Sequence, residues 1–130
     1  MKTFILIAAC WWLLWFGFKI WENEPRQQLY IEAMKQRERC GRSRQILDKQ
    51  LCEQADKWAQ HMASSGRFAH GGGEQIIAKG YGTPRQAING WLRSEGHRRW
   101  MMCNRSHVGF GFAKSKSGHP YYVGIYRNKK

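Results

Sequence analysis

The stretch from Gly73 to Arg98, GEQIIAKGYGTPRQAINGWLRSEGHR, decides how this chain folds. Gln75-Ile76-Ile77-Ala78 lies between two glycine breaks, Gly71-Gly72-Gly73 and Gly80-Tyr81-Gly82. A short apolar run bounded by such breaks predicts a buried strand. Thr83-Pro84 predicts a helix start. The threonine hydroxyl can accept from an early backbone N–H, and proline at the first helical position gives up an N–H that would have no partner there. Ala87, Ile88 and Trp91 then fall on one helical face. Ser94-Glu95-Gly96 breaks that helix, and His97–Cys103 predicts a second, shorter one.

Outward from this stretch the pattern continues on both sides. Toward the amino end, Leu47–Ser64 carries Leu47, Leu51, Ala55, Trp58, Ala59 and Met62 at spacings of three and four, so a long amphipathic helix is predicted, stopped at Gly66. Toward the carboxyl end, Val108, Phe110 and Phe112 alternate with Gly109, Gly111 and Ala113. Ser115–Gly118 turns the chain and Tyr121–Arg127 returns, which is a β-hairpin. The fold class is therefore α+β. There are no repeats and no low-complexity segment.

The amino terminus has a different character. Phe4–Phe18 is a 15-residue run without charge. It is short for a full span of about 20 residues, but Ile20 and Trp21 extend it past Lys19, whose long stem can snorkel to an interface. Trp11, Trp12, Trp15 and Trp21 suit a membrane boundary. A cleavable signal needs small residues after the apolar stretch, and FGFKIWENEP offers none at the right spacing, so an uncleaved signal-anchor is expected. Ile7-Ala8-Ala9-Cys10 looks like a lipoprotein box, yet only Phe4–Leu6 precede it and the apolar run continues beyond it. The expected organisation is a transmembrane helix at 1–21, a polar helical stalk and basic loop at 22–45, and a globular domain at 46–130. The orientation of the anchor is left open by Lys2 on one side and Lys19 and Arg26, with Glu22 and Glu24, on the other.

Composition limits the partners. With 42% hydrophobic and 14% aromatic residues, the chain is not disordered. Removing Lys2 and Lys19 from a formal charge of +13 leaves +11 on the remaining 109 residues. Such a balance points to a polyanion: nucleic acid, anionic lipid or cell-wall polymer. The basic residues are scattered and no nucleic-acid-binding motif accompanies them. With an apolar leader as well, the expectation is an anionic lipid or wall polymer and no nucleic acid.

The segment from Leu51 to Tyr126 resembles the CAP superfamily, also called SCP domains, whose members include cysteine-rich secretory proteins, antigen 5 and plant pathogenesis-related proteins. Four pieces carry the likeness, in family order over about 80 residues. The first is Leu51, Ala55, Trp58-Ala59, Met62-Ala63, Gly66 and His70. The second, Gly73-Glu74-Gln75-Ile76, is similar to the family's G-E-N-[IL], with glutamine in place of asparagine. The third, Trp91-Leu92 through Ser94, Gly96, His97 and Arg98, is similar to the short bacterial pattern W-x-x-S-P-G-H-R. The fourth is Val108-Gly109-Phe110-Gly111, followed by an aromatic closing strand.

The resemblance implies an α-β-α sandwich, a small antiparallel sheet flanked by helices. It also implies a cleft of two histidines and two acidic residues. By motif these are His70, Glu74 and His97. Glu95 stands where the bacterial pattern has proline, and is either the second acid or a solvated helix-end residue. Two imidazoles and a carboxylate suit zinc, with His70 and His97 as its ligands, or general acid–base work; no cofactor is required. Glu74 after a glycine turn can equally accept backbone N–H groups and hold its loop. Ser94 and Cys103 lack the setting of a nucleophile. His61, His107 and His119 have no partner spacing and read as surface residues.

Cys40, Cys52 and Cys103 lie outside the apolar run. One disulfide is compatible with export. Cys40–Cys52 would leave Cys103 free, a pairing the sequence does not decide. The expected protein is a monomeric, membrane-anchored, extracytoplasmic CAP-domain protein that binds a lipid or envelope component through its His/Glu cleft. The alternative is a small envelope-directed hydrolase, a metal-assisted peptidase or wall-degrading enzyme. A purely structural envelope protein is a third class.

Overall fold

The computed structural model describes residues 24–130. The predicted anchor at 1–21 lies outside them. No helix among the described residues is long and apolar enough to cross a membrane. The elements in chain order are α1 (Pro25–Arg39), β1 (Ile46–Leu47), α2 (Lys49–Ser65), β2 (Gln75–Lys79), α3 (Pro84–Arg93), α4 (Glu95–Met101), β3 (His107–Lys114) and β4 (Pro120–Arg127). The strands form one sheet in the order β1-β3-β4-β2.

Strand alternation assigns the layers. Ile77, Tyr121, Val123 and Ile125 point to one face and meet Leu51, Ala55, Ala59 and Met62 of α2. Ile76, Ala78, Val108, Phe110, Tyr122 and Tyr126 point to the other, where α1, α3 and α4 cover them with Leu29, Ala33, Ile88, Trp91 and Met101. Trp91 is buried with its indole N–H donating to the Ile77 carbonyl at 2.9 Å. That bond gives its one polar atom a partner inside the core. The result is helix, sheet, helix: the expected sandwich.

Local signals set most boundaries. The Asp48 carboxylate accepts from the Leu51 N–H at 2.9 Å and caps α2. Gly66 ends that helix in the left-handed conformation at φ 72°. Thr83 caps α3 through the Gln86 N–H at 3.2 Å, with Pro84 first in the helix. The hairpin pairs Val108 with Tyr126 and Phe112 with Tyr122, in the alternation read from the sequence.

Two expectations change. The sheet is mixed, not purely antiparallel. Ile46 and Leu47, the second read as a helix start, pair parallel with His107 and Val108. Asp48 caps the helix, which starts at Lys49 instead of Leu47. The freed backbone reaches the β3 edge through Ile46 N–H to Ser106 O and Asp48 N–H to Val108 O, both 2.9 Å. The segment expected as a stalk is also different. Its helix, α1, buries Leu29, Ala33, Met34 and Arg37 in the domain.

Arg37 explains why so polar a helix can be interior. The residue is 2% exposed, and its guanidinium donates to the carbonyls of Ser43 at 2.9 Å, Met101 at 2.9 Å and Cys103 at 2.8 Å. Burial lowers its pKa from the ordinary value, while the three carbonyls replace the lost hydration. The clamp ties α1 to the end of α4. At the other end Arg26 bonds to Asp56 of α2 and to the Phe110 carbonyl at 3.2 Å. Helix α1 therefore runs antiparallel to β3, with its amino end toward the hairpin turn.

Candidate functional site

Beside β2, on the face covered by α3 and α4, lies a cavity of about 230 Å³ lined by His70, Gln75, Ile76, Ser94, Gly96, His97 and Trp100. His70 arrives on the glycine-rich loop after α2. His97 and Trp100 sit one turn apart on α4, so both project to one side. Gln75, the first residue of β2, is buried, and its side-chain oxygen accepts from the Gly71 N–H at 2.8 Å. This bond folds the His70 loop back over the strand. Nearby, the Trp58 indole N–H donates to Ala69 O at 3.0 Å. The ring lies where a Cβ on Gly71 would meet it at 2.6 Å, so that glycine allows the close approach.

Burial holds the His97 imidazole below its ordinary pKa, and the charge of His70 pushes in the same direction. His97 is thus favoured in the neutral form, able to donate from one ring nitrogen and accept at the other.

A second hollow of about 530 Å³ shares His97 and Ser94 as its wall. Its other lining residues include Phe68, Ala78, Tyr81 and Trp91. Phe68 is 49% exposed, a large apolar side chain left open to this hollow. The two hollows therefore meet at His97 and Ser94, with the His70 imidazole and the Gln75 amide on one side and Phe68, Tyr81 and Lys79 on the other.

The acidic residues go elsewhere. Glu74 is paired with Arg105, and its backbone carbonyl accepts from the Tyr126 N–H at 2.9 Å. It fastens the β2 entry to the loop before β3 and does not line the histidine cavity. Glu95 pairs with Arg99 at 3.2 Å with its side chain 75% exposed. It lines a different hollow with Cys40, Arg42 and Cys103. Among the described residues no group of three or more His, Cys, Asp or Glu could hold a metal ion. His70 and His97 offer two nitrogen donors, one short of the three protein ligands a catalytic zinc takes.

Of the remaining histidines, His61 is exposed and stacks on Trp58 at 4.8 Å, while Ser106 Oγ lies 2.6 Å from His107 Nδ1. Cys40, Cys52 and Cys103 are free thiols. Cys40, exposed at the end of α1, is not paired with Cys52, which is buried on α2. Trp100 and Phe68 were missed as lining residues. Trp100 had a usable signal, three residues after His97 on the same helix. Phe68 had none beyond being apolar in a glycine-rich loop.

Helices on both faces of a small sheet, with two histidines brought to one side from a loop and a short helix, define the SCP-domain class. The model described as "CAP: Cysteine-rich secretory protein family" matches residues 35–126, and the chain belongs to that family. Among solved structures, an outer surface protein from Borrelia burgdorferi is similar at TM-score 0.72 and 18% identity, over 78% of this chain and 90% of that one. An extracellular protein containing an SCP domain from Bacillus anthracis is similar at 0.67 and 21%, over 81% of this chain and 41% of that longer one. The venom allergen-like protein 4 of Schistosoma mansoni is similar at 0.58 and 16%, over 83% and 91%. Comparison with curated proteins gives no match.

Proposed function

We propose that this chain is a monomeric CAP-domain protein, anchored in a membrane by residues 4–21 and exposed outside the cytoplasm. There it binds an amphipathic lipid or envelope component in the cleft around His70 and His97. The observation that carries the reading is the junction at His97. A polar head can bond to the imidazoles and to Ser94, while an apolar part lies against Phe68 and Tyr81. Ligand sites of this kind are mostly apolar, with a few placed polar groups. The location draws support from the family and from two similar structures whose names place them at the outer surface or outside the cell.

The hydrolase expected from the sequence would activate water beside Glu74, with a metal or the histidines. Glu74 is engaged by Arg105 and Glu95 by Arg99, so binding is the better-supported reading. Titrating the full chain in detergent with a fluorescent fatty acid tests it. The His70→Ala/His97→Ala variant should bind about tenfold more weakly, the equivalent of one lost charge-assisted contact. Equal affinity in a variant that melts like the parent would remove the cleft from the function.

A further inference from the structure

A hollow of about 840 Å³ lies at the hairpin pole, lined by neither His70 nor His97. The carboxyl end of α2 forms one wall. Lys79, Lys114, Lys116 and His119 line the rest with the hydroxyls of Ser115 and Ser117, and no carboxylate is among the lining residues. None of the three lysines makes an ion pair among the described residues. Lys79 lies over the Tyr121 ring at 5.6 Å. The turn is ordered by its own bonds. Ser115 N–H donates to His119 O at 2.9 Å, His119 N–H to Ser115 Oγ at 3.0 Å, and the two serine hydroxyls meet at 3.0 Å. Lys114 and Lys116 are thus mounted on a rigid tip.

The described chain begins beside the middle of β3, with α1 directed so that its amino end faces this pole. Arg26 bonds to Phe110 O while Arg37 bonds to Met101 O and Cys103 O, so the amino end of α1 points toward the Lys114 end of β3. From Trp21 to Glu24 three residues span at most about 11 Å. With residues 1–21 as the anchor, so short a tether would hold this side of the domain toward the headgroup layer, which is about 5–8 Å deep on each side of the hydrocarbon.

We propose that the lysine-lined hollow at the hairpin pole seats the phosphate headgroups of acidic phospholipids in the membrane that holds the chain. This rests on reading residues 4–21 as the anchor. Three unpaired ammonium groups, flanked by hydroxyl donors and free of acidic neighbours, match a phosphodiester. A juxtamembrane lysine cluster is drawn to an anionic surface.

The test uses the full chain in nanodiscs of phosphatidylcholine alone or with phosphatidylglycerol, read by hydrogen–deuterium exchange over residues 113–121. Exchange at the tip should slow about fivefold or more in the anionic discs. The protection should vanish in the Lys79→Gln/Lys114→Gln/Lys116→Gln variant, with its melting temperature unchanged, and at high salt. Equal exchange in the two discs overturns the headgroup site and leaves the anchor standing. Soluble polyphosphate slowing the tip as strongly in phosphatidylcholine discs overturns the lipid as the occupant. A chain that enters neither disc overturns the anchor, and the headgroup site falls with it.

Discussion

Gly111→Ala is the change whose cost can be worked most directly from the structure. A Cβ at Gly111 would lie 2.2 Å from the Ala55 carbonyl carbon and 2.3 Å from the Asp56 nitrogen. Ordinary contact begins near 3.4 Å, so helix α2 would have to retreat by about 1.2 Å. The obstructing atoms are helix backbone and have no rotamer to change. Overpacking costs about 1–3 kcal/mol, and the upper end applies where nothing can rotate away. The retreat also loosens the seam between α2 and the sheet, where a gap of 0.5–1 Å forfeits about a quarter to a half of each contact's attraction. A loss of about 3 kcal/mol lowers the melting temperature of a domain this size by about 12–20 °C. The full chain in detergent, followed by far-ultraviolet circular dichroism, measures this. Gly96→Ala serves as the control, since a Cβ there meets nothing within 4 Å and φ is not in the left-handed region. It should be neutral or stabilise by about 0.5 kcal/mol. A Gly111→Ala protein melting within about 2 °C of the parent would refute the claim that close backbone approach fixes this helix.

Three further outcomes follow from the same geometry. Asp48→Ala should cost about 1 kcal/mol in urea unfolding through loss of the α2 cap, while Asp48→Asn should recover most of it by keeping an acceptor for the Leu51 N–H. Arg37→Met should cost about 1–3 kcal/mol by leaving the buried Met101 carbonyl without a donor and the part-buried Ser43 and Cys103 carbonyls to water, and Arg37→Lys somewhat less, because one ammonium cannot reproduce the fork. The pKa of His97 is depressed in the fold, so its contribution to stability is present above the unfolded value near 6.5 and is lost as pH falls through the folded value. Melting temperature should drop with acidification in that window, and His97→Gln should flatten the drop.

What the sequence made legible was whatever depends on neighbours a few residues away. The face of α2, the Thr83-Pro84 start and the hairpin alternation are all short-range patterns. The interior position of α1 was not legible in this way. Its apolar stripe of Leu29, Ala33 and Met34 is thin, and Arg37 becomes tolerable inside only because Met101 and Cys103, more than sixty positions later, offer their carbonyls. The parallel pairing of Ile46 with His107 is non-local in the same sense.

The cleft shows a similar division. His70 and His97 came from motif likeness, and the structure lines one cavity with both. Glu74 and Glu95 came from the same likeness. What occupies them, Arg105 and Arg99, is decided by side-chain reach, and the 31-residue separation of Glu74 from Arg105 leaves no periodic trace. The second hollow depends on where a glycine-rich loop carries Phe68, which no spacing encodes.

With the anchor proposed above, the burial of α1 bears on how the globular part could be released. A flexible stalk would give a protease a place to cut and shed an intact domain. Here the helix that begins at Pro25 supplies Leu29, Ala33 and Met34 to the core. A cut after Leu29 within this helix would strip core residues and open the sheet's helical cover. Shedding a folded form therefore requires cleavage before Leu29, and a cut further into the helix destroys what it frees.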